Sequence, residues 1–251
     1  MNLFSWDMNV ETYADPSINT MIRKLQPNGV INHRGMDEGD YGTPEREWDP
    51  NGGTLAYDTP VEACTSVGLQ SWGYRIDESY DTDRHLLRNI DRYIAKGGNF
   101  LLNVGPRPDG VIPDRAADIL RRIGDWIKPV REALYDVIPA SAMTQNREVL
   151  LTRRENTLYV HLVKDPMGED VILRPLHDLP KKATLLNDGR ALRVANDMVP
   201  WQHMEQRGYL RIQGVPVHAY ANSVIVIKRA FEHLDDDVAA KAETGTDENI
   251  M

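Results

Sequence analysis

The hydrophobic pattern of this chain changes period once, near residue 138, so one 251-residue polypeptide calls for two packing solutions. Ahead of that point, apolar residues recur at helical spacing. Ile18, Met21, Ile22 and Leu25 fall at i, i+3, i+4 and i+7, behind Asp15-Pro16-Ser17 and ahead of Pro27. A second stripe, Leu86, Leu87, Ile90, Tyr93 and Ile94, closes at Gly97-Gly98. A third, Ala116, Leu120, Ile123 and Ile127, runs from Pro113, which suits a first helical position, to Pro129. Short apolar runs at Asn2–Trp6, Val30–Asn32, Val61–Thr65 and Phe100–Val104 alternate with these stripes and read as buried strands. Strand and helix in alternation predict parallel α/β architecture.

Beyond residue 138 the runs shorten. Val149–Leu151, Leu158–Val163, Val171–Leu173, Thr184–Leu186, Tyr209–Ile212 and Val224–Ile227 are strand-like, with Glu155-Asn156, Pro166-Met167-Gly168, Asn187-Asp188-Gly189 and Asn222-Ser223 as turns between them. Regularly spaced short strands predict an antiparallel β-sandwich. The last stretch, rich in acids and free of aromatics, predicts a disordered tail. The expected division is an α/β unit at 1–138, a β-sandwich at 139–231 and an acidic tail at 232–251. No internal repeat is present.

Composition excludes several functions. Lys and Arg number 29 against 38 Asp and Glu, a net charge of −9, which disfavours binding to a nucleic-acid backbone. Cys64 is the single cysteine, so no intrachain disulfide or thiolate metal cluster can form. No run of 18 apolar residues predicts a membrane span. The opening MNLFSWDMNV has neither the basic start nor the apolar stretch of a signal peptide and reads as a strand met in mid-fold. Phosphate loops, H-E-x-x-H and G-x-S-x-G are all missing, so no metal or cofactor is expected.

Chemistry is sought at strand ends, where parallel barrels place their reactive groups. Asp7 follows an apolar run beside Trp6; from position alone, a turn-capping role is the simpler explanation. The segment Arg34–Trp48 carries five acids and two arginines, most of them explained by an exposed loop. Glu45 and Glu47 differ by lying between Pro44 and Trp48, surroundings that raise a carboxyl pKa. Glu62 sits on an expected strand, where a carboxylate needs a partner or a task. Trp72, followed by Gly73, offers a flat face for stacking on sugar, and ordinary packing explains it equally well. Pairs of carboxyl groups are what glycoside hydrolysis requires, at roughly 5–5.5 Å for the retaining mechanism.

Longer motifs sharpen this. Ser71-Trp72-Gly73-Tyr74, Ile94-Ala95-Lys96-Gly97-Gly98-Asn99-Phe100-Leu101-Leu102-Asn103-Val104-Gly105-Pro106, Asp109-Gly110-Val111-Ile112-Pro113, Ile123-Gly124-Asp125-Trp126 and Glu132-Ala133-Leu134-Tyr135 resemble the retaining α-L-fucosidases of glycoside hydrolase family 29. Ile22–Pro27, Val30–Arg34 and Asp40–Glu45 resemble the same family. The likeness is strong to residue 137 and loose in the β region. It implies the second half of a (β/α)8-like barrel followed by a C-terminal antiparallel β-sandwich. It implies Asp7 as nucleophile, in Trp6-Asp7-Met8-Asn9, and Glu45 as acid/base, with Glu62 the close alternative. By the same resemblance Arg34 holds the ring oxygen and hydroxyls of fucose, and Trp72 faces its methyl and ring. His33, where Asp or Asn often stands, and Ser5, where some members carry Trp, depart from the pattern.

The family has about four further strands before this segment. An incomplete barrel exposes sheet edges, so the expectation is a truncated form, weak or inactive alone, with its edges covered by a second copy or by a complementing N-terminal half. The expected partner is a fucosylated oligosaccharide or glycoconjugate. The competing expectation is a carbohydrate-binding or interaction remnant without catalysis. Convergence of Asp7 with Glu45 or Glu62 on one pocket separates the two.

Overall fold

A computed structural model describes residues 16–34, 39–46, 53–173, 182–197, 209–232 and 234. Helix α1 spans Pro16–Leu25, with Arg23 and Lys24 in its last turn, where cations complement the helix dipole. The expected strand at Val30–Asn32 is reduced to a single parallel bridge between Asn32 and Tyr41. Asp40 explains this: its carboxylate accepts the Ile31 N–H at 2.7 Å, taking a donor that a longer ladder would need. Asn2–Trp6 and Asp7 lie outside the described residues.

Strand β1, Glu62–Ser66, and strand β2, Asn99–Asn103, pair in parallel, with Glu62 opposite Asn99 and Cys64 opposite Leu101. Helix α2, Asp83–Ala95, makes the crossover between them. The Thr82 hydroxyl caps it by accepting from His85 N at 3.3 Å. At its end Gly97 adopts φ +88°, and Gly97 N and Gly98 N donate to Ile94 O and Tyr93 O. That left-handed close is the glycine stop the sequence predicted. Helix α3, Asp114–Val130, follows β2; Pro113 stands just before its first residue, one place earlier than expected, and Pro129 is carried within its final turn. Residues 42–46 run beside β1 through parallel bridges Gly42–Val61 and Glu45–Cys64.

The remaining strands are β3 Ile138–Pro139, β4 Leu150–Arg154, β5 Thr157–Leu162, β6 Val171–Leu173, β7 Lys182–Leu185, β8 Ala191–Asp197, β9 Tyr209–Gln213 and β10 Ile225–Ala230. They form one continuous sheet in the order β3-β4-β5-β10-β7-β8-β9-β6, with every pair antiparallel. The sheet curls at β8, which pairs with β7 through Ala191 and Leu192 and with β9 through Arg193–Asp197. Curling brings Leu158 and Val160 of β5 into one core with Leu173 of β6 and Ile212 of β9. The Asn146 amide closes the far side, donating to Ile172 O at 2.9 Å.

Strand periodicity then divides the faces. Leu158, Val160, Ile225 and Ile227 point into the curl. Tyr159 and Val226 point outward and join Leu86, Ile90, Ile123 and Trp126 of α2 and α3 in a second core. Trp126 Nε1 donates to Val224 O at 2.9 Å across this seam. His161, fully buried, meets the Asp91 carboxylate at 2.7 Å through Nδ1 and the Thr152 hydroxyl at 2.9 Å through Nε2. Among the described residues no helix is long and apolar enough to cross a membrane.

Candidate active site

A cavity of about 440 Å³ is lined by Arg34, Glu45, Cys64, Gln70, Ser71, Trp72 and Gly73. Three residues picked out from the sequence, Arg34, Glu45 and Trp72, therefore share one hollow. Their convergence follows from backbone pairing. Cys64 N donates to Pro44 O and Arg46 N to Cys64 O, each at 2.9 Å, so residues 44–46 are fixed against β1 with Glu45 facing the cavity. Arg34 forms an ion pair with Glu45, and its Nε donates to the Thr43 hydroxyl at 3.0 Å. Both side chains of the pair stay partly open to solvent, so a ligand can reach them.

Glu62 falls elsewhere. It lies on the same face of β1 as Cys64, one pleat toward the strand's start, and is not part of the cavity wall. Its charge is still felt there. Burial pushes the Cys64 thiol up, Arg34 opposes that shift, and Glu45 and Glu62 add to it. Among the described residues no cluster of three His, Cys, Asp or Glu is placed to hold a metal ion.

Two residues that the sequence reading passed over position the aromatic wall. Arg46 adopts φ +56°, a left-handed conformation costly for a residue with a side chain. That turn lays its guanidinium over the Trp72 ring, 4.8 Å from the centroid, while the same group donates to Gly68 O and Leu69 O. Asn103, at the end of β2, donates to Trp72 O at 2.8 Å and to the Ser66 hydroxyl at 3.1 Å. Behind it, Gly105 packs against Gly73: a Cβ at 105 would stand 2.4 Å from the Gly73 carbonyl carbon and 2.7 Å from Tyr74 N. The Lys96–Pro106 motif thus acts on the cavity through backbone, by holding the loop that carries Trp72. Arg46 had no sequence signal beyond its neighbour Glu45; Asn103 and Gly105 stood inside the motif without a visible task.

The chain is similar to known proteins in sequence and in fold. A family model described as alpha-L-fucosidase matches residues 4–132, just over half of the chain. The rat tissue alpha-L-fucosidase is 33% identical over 110 residues, covering 42% of this chain and 24% of that protein. The human plasma alpha-L-fucosidase is 36% identical over 158 residues, covering 59% of this chain and 32% of that protein. The match therefore spans about a quarter to a third of these relatives' length. Among solved structures, alpha-L-fucosidase isoenzyme 1 from Paenibacillus thiaminolyticus superposes with a TM-score of 0.70 at 29% identity, covering 91% of this chain and 56% of that one. The Thermotoga maritima alpha-fucosidase in complex with fucose superposes with a TM-score of 0.60 at 25% identity, covering 85% and 48%.

Proposed function

We propose, from the premise that this chain belongs to the α-L-fucosidase family, that it carries one wall of a site that removes terminal α-L-fucose from glycans with retention of configuration. The observation that carries the reading is the meeting of Glu45, Arg34 and Trp72 in one solvent-accessible cavity. A carboxyl group, a guanidinium fork and a flat aromatic face are what a sugar site needs: a proton donor, hydrogen bonds to hydroxyls, and a platform for C–H surface.

The chemistry is a double displacement. Asp7 attacks the anomeric carbon and forms a covalent fucosyl-enzyme while Glu45 gives its proton to the departing glycosidic oxygen. Glu45 then takes a proton from water, which attacks the same carbon and releases fucose and Asp7. Arg34 connects binding to this step. Its guanidinium, paired with Glu45 and bonded to Thr43, is placed to donate to fucose oxygens beside the acid. Glu45 is preferred over Glu62 because it faces the cavity. Family membership supports reading residues 1–138 as the closing half of a (β/α)8-like barrel, 139–231 as the β-sandwich domain after it and 232–251 as an acidic tail.

The test is a chimera joining this chain to the portion of a fucosidase relative that it does not match, assayed by nitrophenolate release from nitrophenyl α-L-fucoside. Glu45→Gln should lower kcat by about 10²–10⁴, and azide should restore nitrophenolate release by attacking the fucosyl-enzyme in place of water, with fucosyl azide as the product. Glu62→Gln should retain most activity. A chimera in which Glu62→Gln is the crippled variant and Glu45→Gln is not would reverse the assignment. Fucose binding without turnover in an otherwise folded chimera would favour the carbohydrate-binding reading.

A further inference from the structure

A second cavity, about 700 Å³, opens at the seam between α2 and the outer face of the antiparallel sheet, and it shares no lining residue with the first. Arg88 and Arg92 form one wall, one helical turn apart, with Arg84 a further turn back on the same stripe. Arg147 and Lys164 face them from the loop before β4 and the segment after β5. Among the described residues, four permanent cations thus line a hollow whose wall holds a single carboxylate, Asp165, in a chain of net charge −9. Asp165 is shared between Arg84 and Arg88. Outside the wall, Glu148 accepts from Lys164 at 3.2 Å. Arg147 spends one N–H on the Thr54 hydroxyl at 3.1 Å.

The wall is held in place from behind. Asn89, 3% exposed, holds the wall in place: its oxygen accepts from Arg92 at 3.0 Å and its amide nitrogen lies 2.9 Å from His85 Nε2. Arg88 and Arg92 reach the cavity on one wall and Arg147 and Lys164 on the other, so an anion placed between them meets donors from both sides. Burial, and secondarily the Arg84 charge beside it, pushes the Arg88 pKa down.

We propose that this cleft binds a tetrahedral oxyanion carried as a phosphate or sulfate monoester. Guanidinium forks approach from two walls, and a tetrahedral anion presents three terminal oxygens to them where a carboxylate presents two. The volume exceeds that of the bare anion and leaves room for the sugar or other group that bears the ester. The site does not depend on Glu45 or on the fucosidase reading.

Calorimetric titration of the whole chain with inorganic phosphate and with sulfate, each balanced against chloride at constant ionic strength, tests this. One saturable site is expected, with acetate at least ten-fold weaker. Arg88→Gln/Arg92→Gln should weaken phosphate or sulfate at least ten-fold, while Arg121→Gln on the exposed face of α3 leaves it unchanged. If the double variant does not fold by circular dichroism, Arg147→Gln on the opposite wall carries the same expectation. Titration with glucose 6-phosphate and N-acetylglucosamine 6-sulfate then distinguishes the two sources by which ester binds more tightly. Absence of saturable phosphate and sulfate binding, equal binding of acetate, or binding indifferent to the wall arginines overturns the proposal.

Discussion

Helices α1 and α3 carry similar amphipathic stripes and meet opposite fates. In α3, Ala116, Ile119, Ile123 and Trp126 are buried, their apolar surface covered by α2 and by β5 and β10. In α1, Ile18, Met21 and Leu25 are 38%, 54% and 71% exposed. A stripe states which face of a helix needs cover. The cover itself comes from sequence elsewhere, and for α3 it comes from the outward-facing residues of strands that follow by roughly 30 to 100 positions. The sheet is thus built twice over: its inner face closes its own core, and its outer face completes the helical layer.

Three substitutions sharpen that contrast. The largest effect belongs to His161→Ala, at the centre of the covered seam. It strands the fully buried Asp91 carboxylate, and should cost about 3–5 kcal/mol in urea or thermal unfolding. Next is Tyr159→Phe. The Tyr159 hydroxyl donates to Glu132 at 3.2 Å and accepts from Arg154 at 3.1 Å, so its loss should cost about 1 kcal/mol at neutral pH. Burial, with Glu132 beside it, raises this phenol from 10.0 to about 12. The folded state therefore holds its proton more tightly than the unfolded chain. That contribution is whole below pH 10 and is lost as pH rises toward 12. Urea midpoints measured from pH 9 to 12 should fall for the parent and fall less for Tyr159→Phe. The smallest effect belongs to Met21→Ser on α1, within about 0.5 kcal/mol. A loss as large as that of a buried methionine would show that α1 is covered in solution and remove the contrast.

Most of the architecture was legible where one local pattern sufficed. The stripes of α1, α2 and α3 and the glycine stop at Gly97 needed only their own residues. Strand β8 escaped notice because Ala191–Asp197 offers only Leu192 and Val194 as large apolar members; its status comes from pairing with β7 and β9. Strand β3, two residues ending in Pro139, is defined only by its partner β4. The antiparallel strands were visible one by one, whereas their union into a single curled sheet depends on β8 changing partners midway. In the site, Glu45, Arg34 and Trp72 carried recognisable chemistry. Asn103 reaches Trp72 across 31 positions, and no local pattern encodes a contact of that kind.

The fit of Gly105 against Gly73 ties two distant stretches of chain into one unit of inheritance. Any side chain at 105 must displace the backbone beside Trp72, so drift at the end of β2 is answered at the wall of the cavity. Variants of this chain with a reshaped cavity can therefore arise at a position that does not line it, and a survey confined to cavity-lining side chains would pass them by.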